Sequence, residues 1–139
     1  MATKISTLRV PSDIGVLEQV LSWFDQMQHP GVPTKIWLQC QLAIAEGFTN
    51  AVRHAHDGLG SDLQIDVEVS LSDDCIEIRV WDCGPPFDLE GKILAIQQQQ
   101  VDQHAGGGRG LLILQKICDR LKYVRTGDDR NYLLMAKHF

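Results

Sequence analysis

Apolar and polar positions recur along this chain with two different periods. Leu63, Ile65, Val67, Val69 and Leu71 alternate with Gln64, Asp66, Glu68 and Ser70, and Ile76, Ile78 and Val80 alternate with Glu77, Arg79 and Trp81. A period of two predicts strands. The short Ser72-Asp73-Asp74 connection makes them an antiparallel hairpin, with one face on the core and one wetter face. Elsewhere the period is helical. Ile14, Leu17, Leu21 and Phe24, widened by Val20 and Met27, predict a helix that Ser12 can cap. A second helix is expected from about Lys35 to His56, with Leu38, Leu42, Ala45, Thr49 and Val52 on its buried face and Gly58 after its end. A third is opened by the glycines from Gly106 to Gly110 and carries Leu111, Leu112, Leu114, Ile117 and Leu121. Thr7–Val10, stopped by Pro11, reads as an edge strand, and His29–Thr34 as a loop. A short polar helix is expected within Ile93–Val101. Two strands, Lys122–Arg125 and Asn131–Lys137, close the chain around Gly127-Asp128-Asp129.

Strands before, between and after helices predict an α+β two-layer α/β sandwich, with a mixed, mostly antiparallel sheet and helices on one face. At 139 residues, without repeat or linker, the chain reads as a single domain, 1–139. Its 44% apolar and 22% charged residues are ordinary for a globular protein. The 18 acidic residues against 13 basic ones give a net charge of −5, which argues against nucleic-acid or anionic-membrane binding. The four cysteines lie far apart with no C-x-x-C pair, so a zinc knuckle is not expected and reduced thiols are. No stretch reaches membrane-spanning length, and the opening residues have no apolar signal region, so the expected location is cytoplasmic.

Three segments carry candidate chemistry. Glu46, Asn50 and His54 are spaced by four and stand on one side of the second helix. A carboxylate there can accept a proton or orient a nucleophile, and a carboxamide oxygen can bind a hard cation such as Mg²⁺. Asp82 lies where a strand runs into Gly84-Pro85-Pro86, a place from which it can accept a hydrogen bond from an amine, while Gly84 lets a flat ligand approach the backbone. The run Gly106-Gly107-Gly108-Arg109-Gly110 leads into a helix, where exposed amides and a positive side chain suit an anion. It is not a P-loop, because no Gly-Lys-Ser/Thr follows. Taken singly, these segments also read as a solvated helix face, an Asx-type turn and a hinge.

Taken in order, E-x-x-x-N-A on a helix, D-x-G at a strand end and G-G-x-G-L opening a helix resemble the three nucleotide-binding boxes of the superfamily of gyrase, histidine kinases and mismatch-repair ATPases. Asn50–His56, Asp82–Asp88 and Gly107–Leu111 most resemble the anti-sigma-factor serine kinases. That resemblance implies a Bergerat-type ATP-binding fold, with ATP and Mg²⁺ as cofactors. It implies Glu46 as general base, Asn50 as Mg²⁺ ligand and Asp82 as acceptor for the adenine amine, with Gly84 shaping its pocket. Gly106, Gly107, Gly108 and Gly110 would cradle phosphates, Arg109 would neutralise them, and Leu111 would complete the box. The segment from Phe87 to Ala105 would form the nucleotide lid. The implied partners are an anti-sigma-factor antagonist as substrate, a sigma factor, and a second copy in a homodimer. The alternative is a module that binds ATP and sequesters a partner without transferring phosphate.

Overall fold

A computed structural model of the chain describes residues 3–55, 62–98 and 108–139. The alternation in the sequence is realised as a hairpin of β2 (Gln64–Leu71) and β3 (Cys75–Asp82), with Val67 opposite Val80 and Val69 opposite Ile78. Ile65, Val67, Val69 and Leu71 face inward from β2, and Ile76, Ile78 and Val80 from β3. β1 (Lys4–Pro11) pairs with β2 at one edge, while β5 (Asn131–His138) and β4 (Arg120–Arg125) extend the other side. The order is β1-β2-β3-β5-β4. Every pairing among the described residues is antiparallel, which corrects the expected mixed sheet.

Four helices, α1 (Leu17–Asp25), α2 (Thr34–Asn50), α3 (Leu89–Gln98) and α4 (Gly108–Ile117), put their buried residues into one cluster with the inner strand residues. α2 lies close on the sheet at Gly47, where an added Cβ would stand 2.8 Å from Met135 Cε and 3.4 Å from Val80 Cγ2. Phe24 of α1 stacks on Trp37 of α2, with centroids 4.1 Å apart and planes 6° from parallel. The other face of the sheet mixes charged side chains with Trp81, Tyr132 and Leu134. Arg9 pairs with Asp66 at 2.7 Å, and the Arg130 guanidinium lies 4.5 Å from the Trp81 ring centre.

Several expectations are corrected. The buried face of α2 is Trp37, Cys40, Ala43, Ile44, Gly47, Phe48 and Asn50, whereas Leu38 and Leu42 are exposed. Asp13, not Ser12, caps the first helical segment: its Oδ1 accepts from Gly15 N at 2.9 Å, at the start of a 3₁₀ turn, Ile14–Val16, that runs into α1. The polar helix begins earlier than expected, at Leu89, because Asp88 caps it by accepting from Gly91 N, and Leu89 and Ile93 are buried. Leu121 belongs to β4 and not to the preceding helix. The expected end of the second helix at Gly58 lies outside the described residues. None of the four cysteines is in a disulfide. Burial pushes the Cys40 thiol up to about 12 and the Cys118 thiol to about 11, so both keep their protons near neutral pH. No helix among the described residues is long and apolar enough to cross a membrane.

Candidate functional site

The packing of α2 on the sheet sets the first half of the site. Glu46 and Asn50 flank the buried Gly47–Phe48 pair that seats the helix, so both are carried toward the layer where α2 meets α4. Glu46 is half-buried, and its Oε2 would stand 2.5 Å from a Cβ built on Gly110. The carboxylate therefore rests on the opening turn of α4, where helical amides lack partners within the helix. Only a glycine leaves room for it there. Asn50 is 8% exposed, and its Oδ1 has no hydrogen-bond partner among the described residues. A buried carbonyl oxygen without a partner costs free energy. It is the donor type a hard cation takes, so the residues present fit Mg²⁺. Immediately after Asn50 the helix widens to π geometry over Ala51–Ala55, a distortion frequent at functional sites. The strict spacing by four thus ends at Asn50, and the side chain of His54 lies outside the described residues.

The second half lies at the end of the sheet. Asp82 continues the inward parity of Ile76, Ile78 and Val80, which buries a carboxylate at 3% exposure. Donors reach it from the following turn, from β5 and from β4. Oδ1 accepts from Gly84 N at 2.9 Å and from Asn131 Nδ2 at 2.9 Å, and Oδ2 accepts from the Tyr123 hydroxyl at 3.4 Å. Asn131 sits directly opposite Asp82 across β3 and β5, and Arg125 directly opposite Asn131 across β5 and β4. The second amide hydrogen of Asn131 goes to the Gly84 carbonyl at 2.8 Å, and Arg125 Nη1 donates to the same carbonyl at 3.3 Å. The Asx-type turn and the candidate binding carboxylate are thus one structure. Burial, then the Asp82 charge, raise the Tyr123 phenol above its ordinary value, so its proton stays in place to be donated.

Asn131 was missed from the sequence as a site residue. Its signal was a carboxamide at the first position of a strand whose following residues are apolar; Asp82 carried the stronger one, a charge on the core parity. Of the glycine run, Gly106 and Gly107 lie outside the described residues, as do the side chain of Arg109 and the last part of the expected lid, 99–105. Gly108 and Gly110 are in the opening turn of α4, and Leu111 is a buried core residue of that helix. The side of Gly110 where a Cβ would stand faces Glu46.

The histidine kinase-like ATPase domain matches residues 10–137, nearly the whole chain. The chain belongs to that family. Among curated proteins, the histidine kinase-like ATPase domain described here is similar to serine-protein kinase RsbW of Listeria innocua, 36% identical over 86 residues, covering 59% of this chain and 54% of the relative. The Bacillus pumilus protein of the same name is 36% identical over 87 residues, with 59% and 54% covered. That of Bacillus licheniformis is 31% identical over 85 residues, with 58% and 53% covered. The chain spans about half the length of the curated relatives it matches.

Proposed function

We propose that this domain is an ATP-dependent protein serine/threonine kinase that acts as an anti-sigma factor in a partner-switching pathway. The observation that carries the reading is the approach of the Glu46 carboxylate to Gly110, one helical turn from the Asn50 oxygen that has no partner among the described residues. A base, a cation ligand and a helix N-terminus are what phosphoryl transfer requires, because that reaction needs positioning and charge neutralisation more than covalent help. In this reading Asp82 accepts the adenine amine, with Gly84 shaping the pocket. The amides of Gly106, Gly107, Gly108 and Gly110, together with Arg109, face the phosphates, and Leu111 anchors the helix behind them. Asn50 holds Mg²⁺, which supplies neutralisation of the phosphate oxygens. Glu46 orients or deprotonates a seryl or threonyl hydroxyl brought in by a docked protein.

The name serine-protein kinase carried by the similar proteins supports transfer to a protein hydroxyl, and the reading takes an anti-sigma-factor antagonist as the substrate, a sigma factor as the sequestered partner, and a cytoplasmic homodimer. Single-turnover transfer from γ-labelled ATP to candidate antagonists encoded in the same genome tests the proposal. Label on a serine or threonine of one candidate is the expected result. ATP-dependent capture of a partner with no label on any candidate would leave a sequestering module instead.

A further inference from the structure

The roles proposed so far leave Tyr123 without one. It stands on β4, two strands away from Asp82, yet its hydroxyl reaches Asp82 Oδ2 at 3.4 Å. Its ring packs on Phe87, with centroids 4.2 Å apart, and Lys92 Nζ of α3 lies 4.8 Å from the Phe87 ring centre. A cavity of about 350 Å³ opens beside the two rings, lined in part by Glu90, Leu121 and Lys122. The Tyr123 ring is therefore steadied by Phe87 on its face and by Asp82 at its tip, and not by close packing on every side. Asp82 Oδ1 carries the two short bonds, from Gly84 and Asn131. Terminal torsions of this type have broad minima, so each donor on either oxygen restrains the carboxylate plane. The Tyr123 hydroxyl is one such donor, on the oxygen that those two bonds do not use.

We propose that Tyr123 is a positioning residue for base recognition: its hydroxyl sets the plane of the Asp82 carboxylate so that an oxygen meets the exocyclic amine of the base edge-on. This rests on the reading of Asp82 as the acceptor for the adenine amine. Tyr123→Phe removes the hydroxyl and keeps the ring on Phe87, whereas Tyr123→Leu removes both. The probes are ADP and purine riboside diphosphate, which differ by the exocyclic amine alone, titrated calorimetrically with Mg²⁺ into wild type and both variants.

Wild type is expected to prefer ADP. Tyr123→Phe should weaken ADP about 3- to 10-fold, the worth of an ordinary hydrogen bond, and leave the analogue unchanged. Tyr123→Leu should weaken both and lower the melting temperature of the nucleotide-free protein. Equal loss of the two ligands in Tyr123→Phe would make Tyr123 a packing residue and overturn the proposal, as would no loss of either. If wild type itself does not distinguish the ligands, the reading of Asp82 fails and takes this proposal with it. If wild type discriminates and Tyr123→Phe discriminates equally, the role of Tyr123 fails alone.

Discussion

The two halves of the candidate site are built on opposite plans. At the corner of the sheet, Asp82 and Asn131 are 3% and 0% exposed, and both oxygens of the one and both amide hydrogens of the other have protein partners. At the junction of α2 and α4, Asn50 is nearly as buried at 8%, but its oxygen has no partner among the described residues, and the Glu46 carboxylate leans on a helix opening. A buried polar group left alone costs about 1–3 kcal/mol. A fold tolerates that cost where a ligand supplies the missing partner. The corner is complete before any ligand arrives, as suits a group that must present one shape to a base. The junction is completed by what binds, as suits groups that handle a cation and a reacting hydroxyl.

That contrast is sharpened most by Glu46→Gln. The change keeps the shape and removes the basicity, so single-turnover transfer should fall about 10²–10⁴-fold while ADP affinity hardly moves. Wild-type rates in the variant would remove Glu46 from the mechanism. Gly110→Ala puts a methyl group where Glu46 Oε2 now lies. The carboxylate is the mobile end of a side chain, so folding should be spared. Transfer should drop by up to about 10²-fold, the scale of a displacement near 1 Å. A loss of nucleotide affinity with normal transfer at saturation would instead make contact with phosphate the main role of that glycine.

Asn50→Ala separates the halves by thermodynamics. Mg²⁺-dependent ADP affinity should fall at least about tenfold, since loss of even indirect ligand support costs that much. Without nucleotide, the melting temperature should not fall, because the variant removes an oxygen that has no partner among the described residues. Asn131→Ala should do the reverse. It strips partners from Asp82 and the Gly84 carbonyl, so nucleotide-free stability should fall by about 1–3 kcal/mol in denaturant unfolding. If Asn50→Ala were the more destabilising of the two, the contrast drawn here would be lost.

How much of this the sequence showed depended on how sharply its pattern chose a face. The β2–β3 hairpin was legible because a period of two leaves each residue only two directions. α2 was not, because it is apolar around much of its circumference. The stripe through Leu38 and Leu42 and the stripe through Trp37, Cys40 and Ile44 both have helical spacing, and they differ by a single residue, about 100° around the axis. The sheet selected the second stripe, because Gly47 allows a close approach to Met135 and Val80 that larger side chains would block. The cap at Asp13 was missed for a similar reason. Ser12 and Asp13 are both good caps, and a bond of Ser12 N to the Leu63 carbonyl, at 2.8 Å from across the fold, holds Ser12 to the sheet end.

The sequence by itself determined which residue types were available for chemistry, in what order, and on what kind of element. Glu46 and Asn50 a turn apart on a helix, Asp82 at a strand end and the glycines before a helix are local facts, set by spacings of a few residues. Only the tertiary structure decided what each of them meets. Gly110 faces Glu46 across 64 residues of chain, and Asn131 reaches Asp82 across 49, through strand register that no local pattern encodes. The reason is physical. Periodicity reports the direction a side chain takes from its own backbone, whereas contact depends on how α2, α4 and three strands pack, and that is settled by volume and close approach over the whole core.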